Sequence, residues 1–252
     1  MLGFAIPVRP FHGFSRAEVA RDYLESTLSS ILNQDTENWR VFLSTSGDYV
    51  PPIDDPRILH GACPDALERA ADTHLRAYRD MHRKRRHAAR MLADMGCSHV
   101  MFLDADDLVS RQLVSYVLES GKGPMLADFG WILIDFARRV YLKESGFAFR
   151  CGSSVIADRA LLESDAFLGS EDPFDAPFYH HHMVNSAVKA RADKIPFPSV
   201  VYRTESRISV TRNTPPNTNP IVARGKRILR LGGKLLLSQA WRADMTKEFG
   251  HP

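Results

Sequence analysis

Apolar positions in the first 120 residues alternate between short unbroken blocks and helical stripes. Gly3-Phe4-Ala5-Ile6-Pro7-Val8 is an apolar run that reads as a buried strand ending near Pro7. Ser15 and Glu18 have capping-box spacing. Behind them Val19, Tyr23, Thr27, Leu28 and Ile31 recur at helical spacing, which predicts a helix over about 16–33. Trp39 to Ser44 reads as a second strand, ending in the polar turn Thr45-Ser46-Gly47-Asp48. Residues 49–63 are rich in Pro, Asp and Gly and predict a loop with one short strand, Arg57-Ile58-Leu59. Ala66 to Met95 has a helical pattern, with Ala88, Met91, Leu92 and Met95 on one stripe and Gly96 as its cap. His99-Val100-Met101-Phe102-Leu103 is a strongly apolar strand followed at once by Asp104. Ser110 is a candidate N-cap for a helix that carries Leu113, Val114, Val117 and Leu118 on one face and ends at Gly121.

Strand and helix thus alternate three times, which predicts a parallel sheet with helices on both faces. Ligands of such sheets lie beyond the carboxyl ends of the strands, where Asp48 and Asp104 fall. The second half reads differently. Trp131–Asp135 and Val140–Lys143 suggest a hairpin, Ser154–Ala157 a strand, and Ala160-Leu161-Leu162 the start of a short helix. Residues 164–178 form an acidic, Pro-containing loop, His180–Ala192 has a helical pattern, and Ser199–Tyr202 reads as a strand. Residues 203–221 are polar with Pro215-Pro216, and a basic helical tail follows. There is no internal repeat.

With 252 residues, the chain can form one large domain with its own core. We expect a single catalytic unit over 1–222, a ligand-binding half at 1–120 and a second half at 121–222, followed by the tail at 223–252. A net charge of +3 is too small and too dispersed for a nucleic-acid binder but suits anionic ligands such as phosphates. Cys63, Cys97 and Cys151 form no C-x-x-C pair, so they read as buried thiols rather than a zinc or redox motif. Residues 1–8 lack a charged leader pattern, and no apolar stretch approaches the ~20 residues that span a bilayer. The expected location is cytoplasmic.

Asp104-Ala105-Asp106-Asp107 places three carboxylates within four residues, directly after an apolar strand. Their mutual repulsion raises their pKa values unless a cation is near. Mn²⁺ or Mg²⁺ would relieve it, since these hard cations take one or two carboxylates plus phosphate oxygens. The alternative is a solvated acidic turn in which Asp107 caps the next helix.

Arg85-Arg86-His87-Ala88-Ala89-Arg90 through Met101-Phe102-Leu103-Asp104-Ala105-Asp106-Asp107 resembles the family 2 glycosyltransferases, which have the GT-A fold. So does the L-x-S-I-L-x-Q pattern at Leu28–Gln34, between a strand ending near Pro7 and one ending at Gly47. Pro198–Arg203 to Ser209 is a weaker match, and together the three cover about residues 3–210. The resemblance implies a mainly parallel α/β sheet with a small antiparallel acceptor-side part. It also implies transfer of a sugar from a UDP-, GDP- or dTDP-sugar to a saccharide or lipid-linked acceptor, with inversion by direct displacement. Asp104 and Ala105 would border the donor. Asp104, Asp106 and Asp107 would hold the metal that bridges the diphosphate, and Pro7 and Arg9 would border the nucleotide. The family usually has acids before the glycine of the second-strand turn. Here Thr45 and Ser46 stand there, with Asp48 after the glycine, so the base is open.

An inverting transfer needs a base for the acceptor hydroxyl. Glu171-Asp172-Pro173-Phe174-Asp175 offers carboxylates where the family places its base; Asp175 is preferred and Asp172 comes next. Adjacent histidines on a helix point about 100° apart, so His180, His181 and His182 cannot readily bind one ion together. Arg79, Arg83, Lys84, Arg85 and Arg86 read mostly as a solvated helix face, with Arg85 and Arg86 best placed to meet a diphosphate. Arg224, Lys226, Arg227, Arg230 and Lys234 carry no neighbouring acid. That tail either packs back on the domain or another subunit, or touches an anionic membrane surface. Two rival functions remain: a non-catalytic binding module on the same fold, and metal-dependent phosphoryl transfer.

Overall fold

A computed structural model describes residues 1–9, 17–64, 66–67, 74–121, 123–134, 139–164, 191–204, 235–236 and 247–249. Its first sheet forms around β1 (Leu2–Pro7). Side chains alternate across a strand. Leu2, Phe4 and Ile6 therefore enter one core with Leu24, Leu28 and Ile31 of α1 (Ala17–Leu32). Ala5 enters a second core on the opposite face, with Ala88, Ala89 and Leu92 of α2 (His74–Asp94). Small residues on this face let α2 lie close to β1. A Cβ on Gly3 would come 3.0 Å from Leu92 Cδ1 and 3.1 Å from Cys97 Sγ.

Beyond β1 lie β2 (Trp39–Thr45) and β3 (Ile58–Ala62) on one side and β4 (His99–Phe102) on the other, all parallel. The order reverses between β1 and β4, and in such sheets the crevice that takes ligands lies beyond the carboxyl ends at that switch point. The sheet continues through β9 (Val155–Asp158), β6 (Met125–Leu126) and β10 (Asp193–Lys194) to give the order β10-β6-β9-β4-β1-β2-β3. Only β9 opposes the other six strands. The mainly parallel mixed α/β sheet with helices on both faces thus agrees with the sequence pattern.

A second sheet has the order β12-β8-β7-β11-β5. It comprises β5 (Leu108–Val109), β7 (Gly130–Ile134), β8 (Arg139–Lys143), β11 (Val200–Thr204) and β12 (Leu235–Leu236). The expected hairpin is β7–β8, paired antiparallel from Gly130↔Lys143 to Ile134↔Arg139. The pattern did not anticipate β5, β6, β10 or β12, because two-residue strands are too short to show a period, and β12 lies in the tail expected to be helical. It also misplaced one cap. The helix α3 (Leu113–Ser120) starts after Gln112, with no side-chain cap; Ser110 lies three residues before it, where its hydroxyl accepts the Gln112 N–H at 3.4 Å. The short helix α4 (Arg159–Leu162) is capped by Asp158, which accepts the Leu161 N–H. Ser15, most of the acidic loop, His180, His181, His182 and the basic tail to Lys234 lie outside the described residues. All three cysteines are buried, as expected. Among the described residues no helix is long and apolar enough to cross a membrane.

The close approach of α2 to β1 predicts that Gly3→Val destabilises the protein by about 1–3 kcal/mol through overpacking. Gly123 has nothing within 4 Å of a Cβ, so Gly123→Ala should stay within roughly 0.5 kcal/mol of wild type. Urea denaturation of the two variants checks both.

Candidate functional site

The acidic turn lies where the chain leaves β4 of the first sheet and enters β5 of the second. It is clamped from α1. The Thr27 hydroxyl donates to the carbonyl of Ala105 at 3.0 Å. Ser30 Oγ accepts the Val109 N–H at 3.2 Å and donates to the Thr27 carbonyl at 2.7 Å. Gln34 donates to the Ser110 carbonyl at 2.7 Å and accepts from the Val114 N–H at 3.0 Å. The L-x-S-I-L-x-Q stretch therefore has a physical reading. Leu28 and Ile31 anchor the helix in the core, while Ser30 and Gln34 hold the backbone on the far side of the acidic residues.

The three carboxylates occupy three different environments. Asp107 is fully buried. It accepts from Ser153 Oγ at 2.6 Å, the Arg203 N–H at 3.0 Å and the Cys151 thiol at 3.5 Å. Burial first, then Asp106 and Asp104, push its pKa well above the ordinary carboxylate range. With both oxygens engaged inside the protein, Asp107 is a strut. The metal-ligand role expected of it does not suit this environment, and neither does the alternative of capping α3. Asp104 keeps 27% of its side chain exposed and pairs with Arg85 through Nη2. Its backbone N–H donates to Ser153 Oγ at 2.8 Å, so one hydroxyl holds both Asp104 and Asp107. A Cβ on Gly152 would lie 2.8 Å from Asp104 Oδ2 and 3.1 Å from Arg85 Nη2, so any larger residue there would have to displace the pair. Asp106 is half-buried on the same turn.

Among the described residues, two guanidinium groups act on these carboxylates. Arg85 is one. Arg9, just beyond β1, is the other: burial lowers its pKa, and Asp106 and then Asp104 pull it back up. The loop that carries Arg9 is pinned by Lys84, which is 1% exposed. Lys84 Nζ donates to the Val8 carbonyl at 2.8 Å and to Asp80 Oδ2 at 2.7 Å. Asp80 in turn accepts the Leu67 N–H at 2.7 Å. Burial lowers the Lys84 pKa, and Asp80 opposes that shift. Lys84 is therefore part of an interior ion pair rather than the solvated face expected for the basic run. Arg86 is half-buried; burial and then Arg90 lower its pKa.

The other expected positions are dispersed. Pro7 is the buried last residue of β1, in register with Ser44. Thr45 Oγ1 donates to the Gly47 carbonyl at 2.9 Å and so closes the turn after β2. Gly47 has φ +103°, and Asp48 beyond it is exposed. Asp172 and Asp175 lie outside the described residues. Among the described residues no three His, Cys, Asp or Glu side chains converge on one point. The donor set at the turn is then two partly exposed carboxylates, Asp104 and Asp106. That set fits a magnesium-like ion, which uses one or two carboxylates and completes its shell with phosphate oxygens and water. Sequence reading missed Ser153, Gly152 and the Asp80–Lys84 pair. They are small, or lie inside an ordinary helical pattern, and only the folded chain brings them to the turn.

Removing one member of the buried pair leaves the other uncompensated, so Lys84→Ala should cost roughly 3–5 kcal/mol by urea denaturation. Replacing both, as Asp80→Asn with Lys84→Met, should cost less than that single change. Asp107 adds a pH dependence. A carboxyl whose pKa is raised on folding stabilises the fold below the ordinary carboxylate range. That contribution is lost as pH climbs through the raised value. Wild type should therefore lose stability relative to Asp107→Asn as pH rises from about 4, measured in EDTA.

No protein-family model matches the chain, and no curated protein sequence does. Among solved structures it is similar to a protein of Desulfovibrio desulfuricans G20 provisionally named a nucleotide-diphospho-sugar transferase. That similarity has a TM-score of 0.38 and 12% identity, over 91% of this chain and 96% of the other. It is too low to carry a fold or a function across.

Proposed function

We propose that this protein is a glycosyltransferase of the family 2 type on a GT-A fold. It would move a sugar from a nucleotide-diphosphate donor to an acceptor hydroxyl with the help of Mn²⁺ or Mg²⁺. The observation that carries the reading is the charge arrangement at the β1/β4 crevice. Asp104 and Asp106 stand at the end of β4, flanked by the guanidinium groups of Arg9 and Arg85. Such a site can meet both a divalent ion and the phosphates that accompany it. The sequence motifs support the family, and the strand order supports a ligand in this crevice.

Asp104 and Asp106 would hold the metal, which when bound supplies positive charge to the departing diphosphate. Asp107, through Ser153 and the Arg203 backbone, fixes the turn that presents them. Lys84 fixes the loop bearing Arg9, and Arg9 and Arg85 can donate to diphosphate oxygens. In a direct displacement the acceptor oxygen bonds to the anomeric carbon as the bond to the phosphate oxygen breaks. The bonding pair leaves with the diphosphate, and the hydroxyl proton passes to a carboxylate. Asp175 is the first candidate for that base and Asp172 the second. Asp48, Pro7 and Ala105 would border the nucleotide. The acceptor is a saccharide or a lipid-linked saccharide. A non-catalytic nucleotide-binding module is the second reading; it is favoured by Thr45, whose hydroxyl closes the β2 turn where the family has an acid.

Titration calorimetry with UDP, GDP, dTDP and CMP, with and without Mn²⁺, tests the proposal. One nucleoside diphosphate should bind at least ~10-fold more tightly with the metal, a gain of about 1.4 kcal/mol. Asp106→Ala should abolish that gain. Binding without any metal effect, or none at all, would sink the reading. Slow metal-dependent hydrolysis of the matching sugar donor separates the enzyme from the binding module.

A further inference from the structure

Residues 247–249 return to the exit of the acidic turn, although a long stretch of sequence separates the two. Phe249 is 1% exposed and forms a small apolar cluster with Leu108 and Val201, with Trp131 and Leu133 packed against it. The Glu248 carboxylate accepts from Ser110 Oγ, and Gln112 Nε2 reaches the same oxygen at 3.5 Å. The Arg111 N–H donates to the Glu248 carbonyl at 2.9 Å. Asn33 Nδ2 donates to the Lys247 carbonyl at 3.3 Å. Side chain and backbone are both engaged, on three consecutive residues.

What they grip is Leu108 of β5 and the three residues that follow the strand, Ser110, Arg111 and Gln112. This strand has two residues and pairs with β11 through Val200↔Val109 and Val201↔Leu108, with one further backbone bond from the Ser110 N–H to the Ser199 carbonyl at 2.9 Å. So short a strand is not stable on its ladder alone. Its two side chains point to opposite sides. Val109 enters the core shared with α1, and Leu108 lies under Phe249. β5 is thus held between α1 on one side and residues 247–249 on the other. Leu108 follows Asp107 directly, so the position of β5 sets the position of the acidic turn.

We propose that Glu248 and Phe249 are positioning residues for the acidic turn: they clasp β5 from the side opposite α1 and hold Asp104 and Asp106 in register. The effect on ligand binding rests on the glycosyltransferase reading, whereas the mechanical coupling does not. Without the clasp, β5 and the turn open together while the parallel core stays folded, as local unfolding of a weakly held unit allows.

Hydrogen–deuterium exchange on the 252-residue chain, comparing wild type with Phe249→Ala, tests the coupling. Peptides across 103–112 should exchange roughly tenfold faster or more in the variant. Those of β1, β2 and β3 should be unchanged, which a loss of global stability would not produce. Phe249→Leu should restore most of the protection. Glu248→Gln, a milder change should Phe249→Ala fail to fold, should give a smaller acceleration of the same peptides. Faster exchange confined to 247–249, or spread evenly over the chain, overturns the proposal. With Mn²⁺ and the nucleoside diphosphate that binds wild type best, Kd should rise ~10-fold in Phe249→Ala. An unchanged Kd despite a loosened 103–112 overturns the positioning role. If no nucleotide binds wild type, the glycosyltransferase reading fails, and the exchange result alone decides the clasp.

Discussion

A single buried carboxylate joins the two sheets. Asp107 has no contact with water, yet it accepts from Ser153 beside β9 and from the backbone of Arg203 on β11. The first lies just before an inner strand of one sheet, and the second is on a strand of the other. Burying such a group is costly unless its oxygens are bonded, and a half-satisfied cluster would be worse than an apolar one. The three donors therefore form a linked set, in which Ser153 also receives the backbone of Asp104. The Arg203 side chain extends the link to α1, through Ser26 at 2.8 Å and the ring of Tyr23 at 5.2 Å. Any shift between the sheets would strain this set first, and the exposed carboxylates next to it would move with it.

Charge at the site follows from the same burial. Asp107 is driven toward its neutral form, which removes one of the three like charges from the turn. Arg85 pairs with Asp104, and Arg9 feels Asp106 and Asp104. A divalent ion entering there would meet competing guanidinium groups, and a ligand that brings its own negative charge would ease that competition. Metal and phosphate should thus favour one another through shared electrostatics. Gly152 keeps this compact, because any side chain there would intrude between Asp104 and Arg85.

Elements with a clear period were legible in the chain: β1, α1, β2, the C-terminal half of α2, β4 and the β7–β8 hairpin. The acidic turn was legible too, because an apolar strand ends abruptly in carboxylates. What was hidden depends on contacts between distant residues. Nothing local distinguishes Lys84, buried against Asp80, from the exposed Arg83 beside it. Nothing local says that Asp107 faces inward while Asp104 faces outward, since a tight turn has no fixed side-chain period. The β7–β8 hairpin and the β11 strand were legible, but not their union into a second sheet, because three of its connections join strands far apart in sequence and β5 is only two residues long.

The return of residues 247–249 to β5 bears on how the protein is made. Ser110 and Glu248 are 138 positions apart. At a synthesis rate of roughly 5–20 residues per second, β5 emerges about 7–30 s before the segment that covers it. During that interval β1 to β4 can assemble on the ribosome, while Leu108 awaits first Val201 and then Phe249. The nascent chain would therefore carry a formed nucleus beside an unfinished turn, and maturation of the site would be among the last events of its folding.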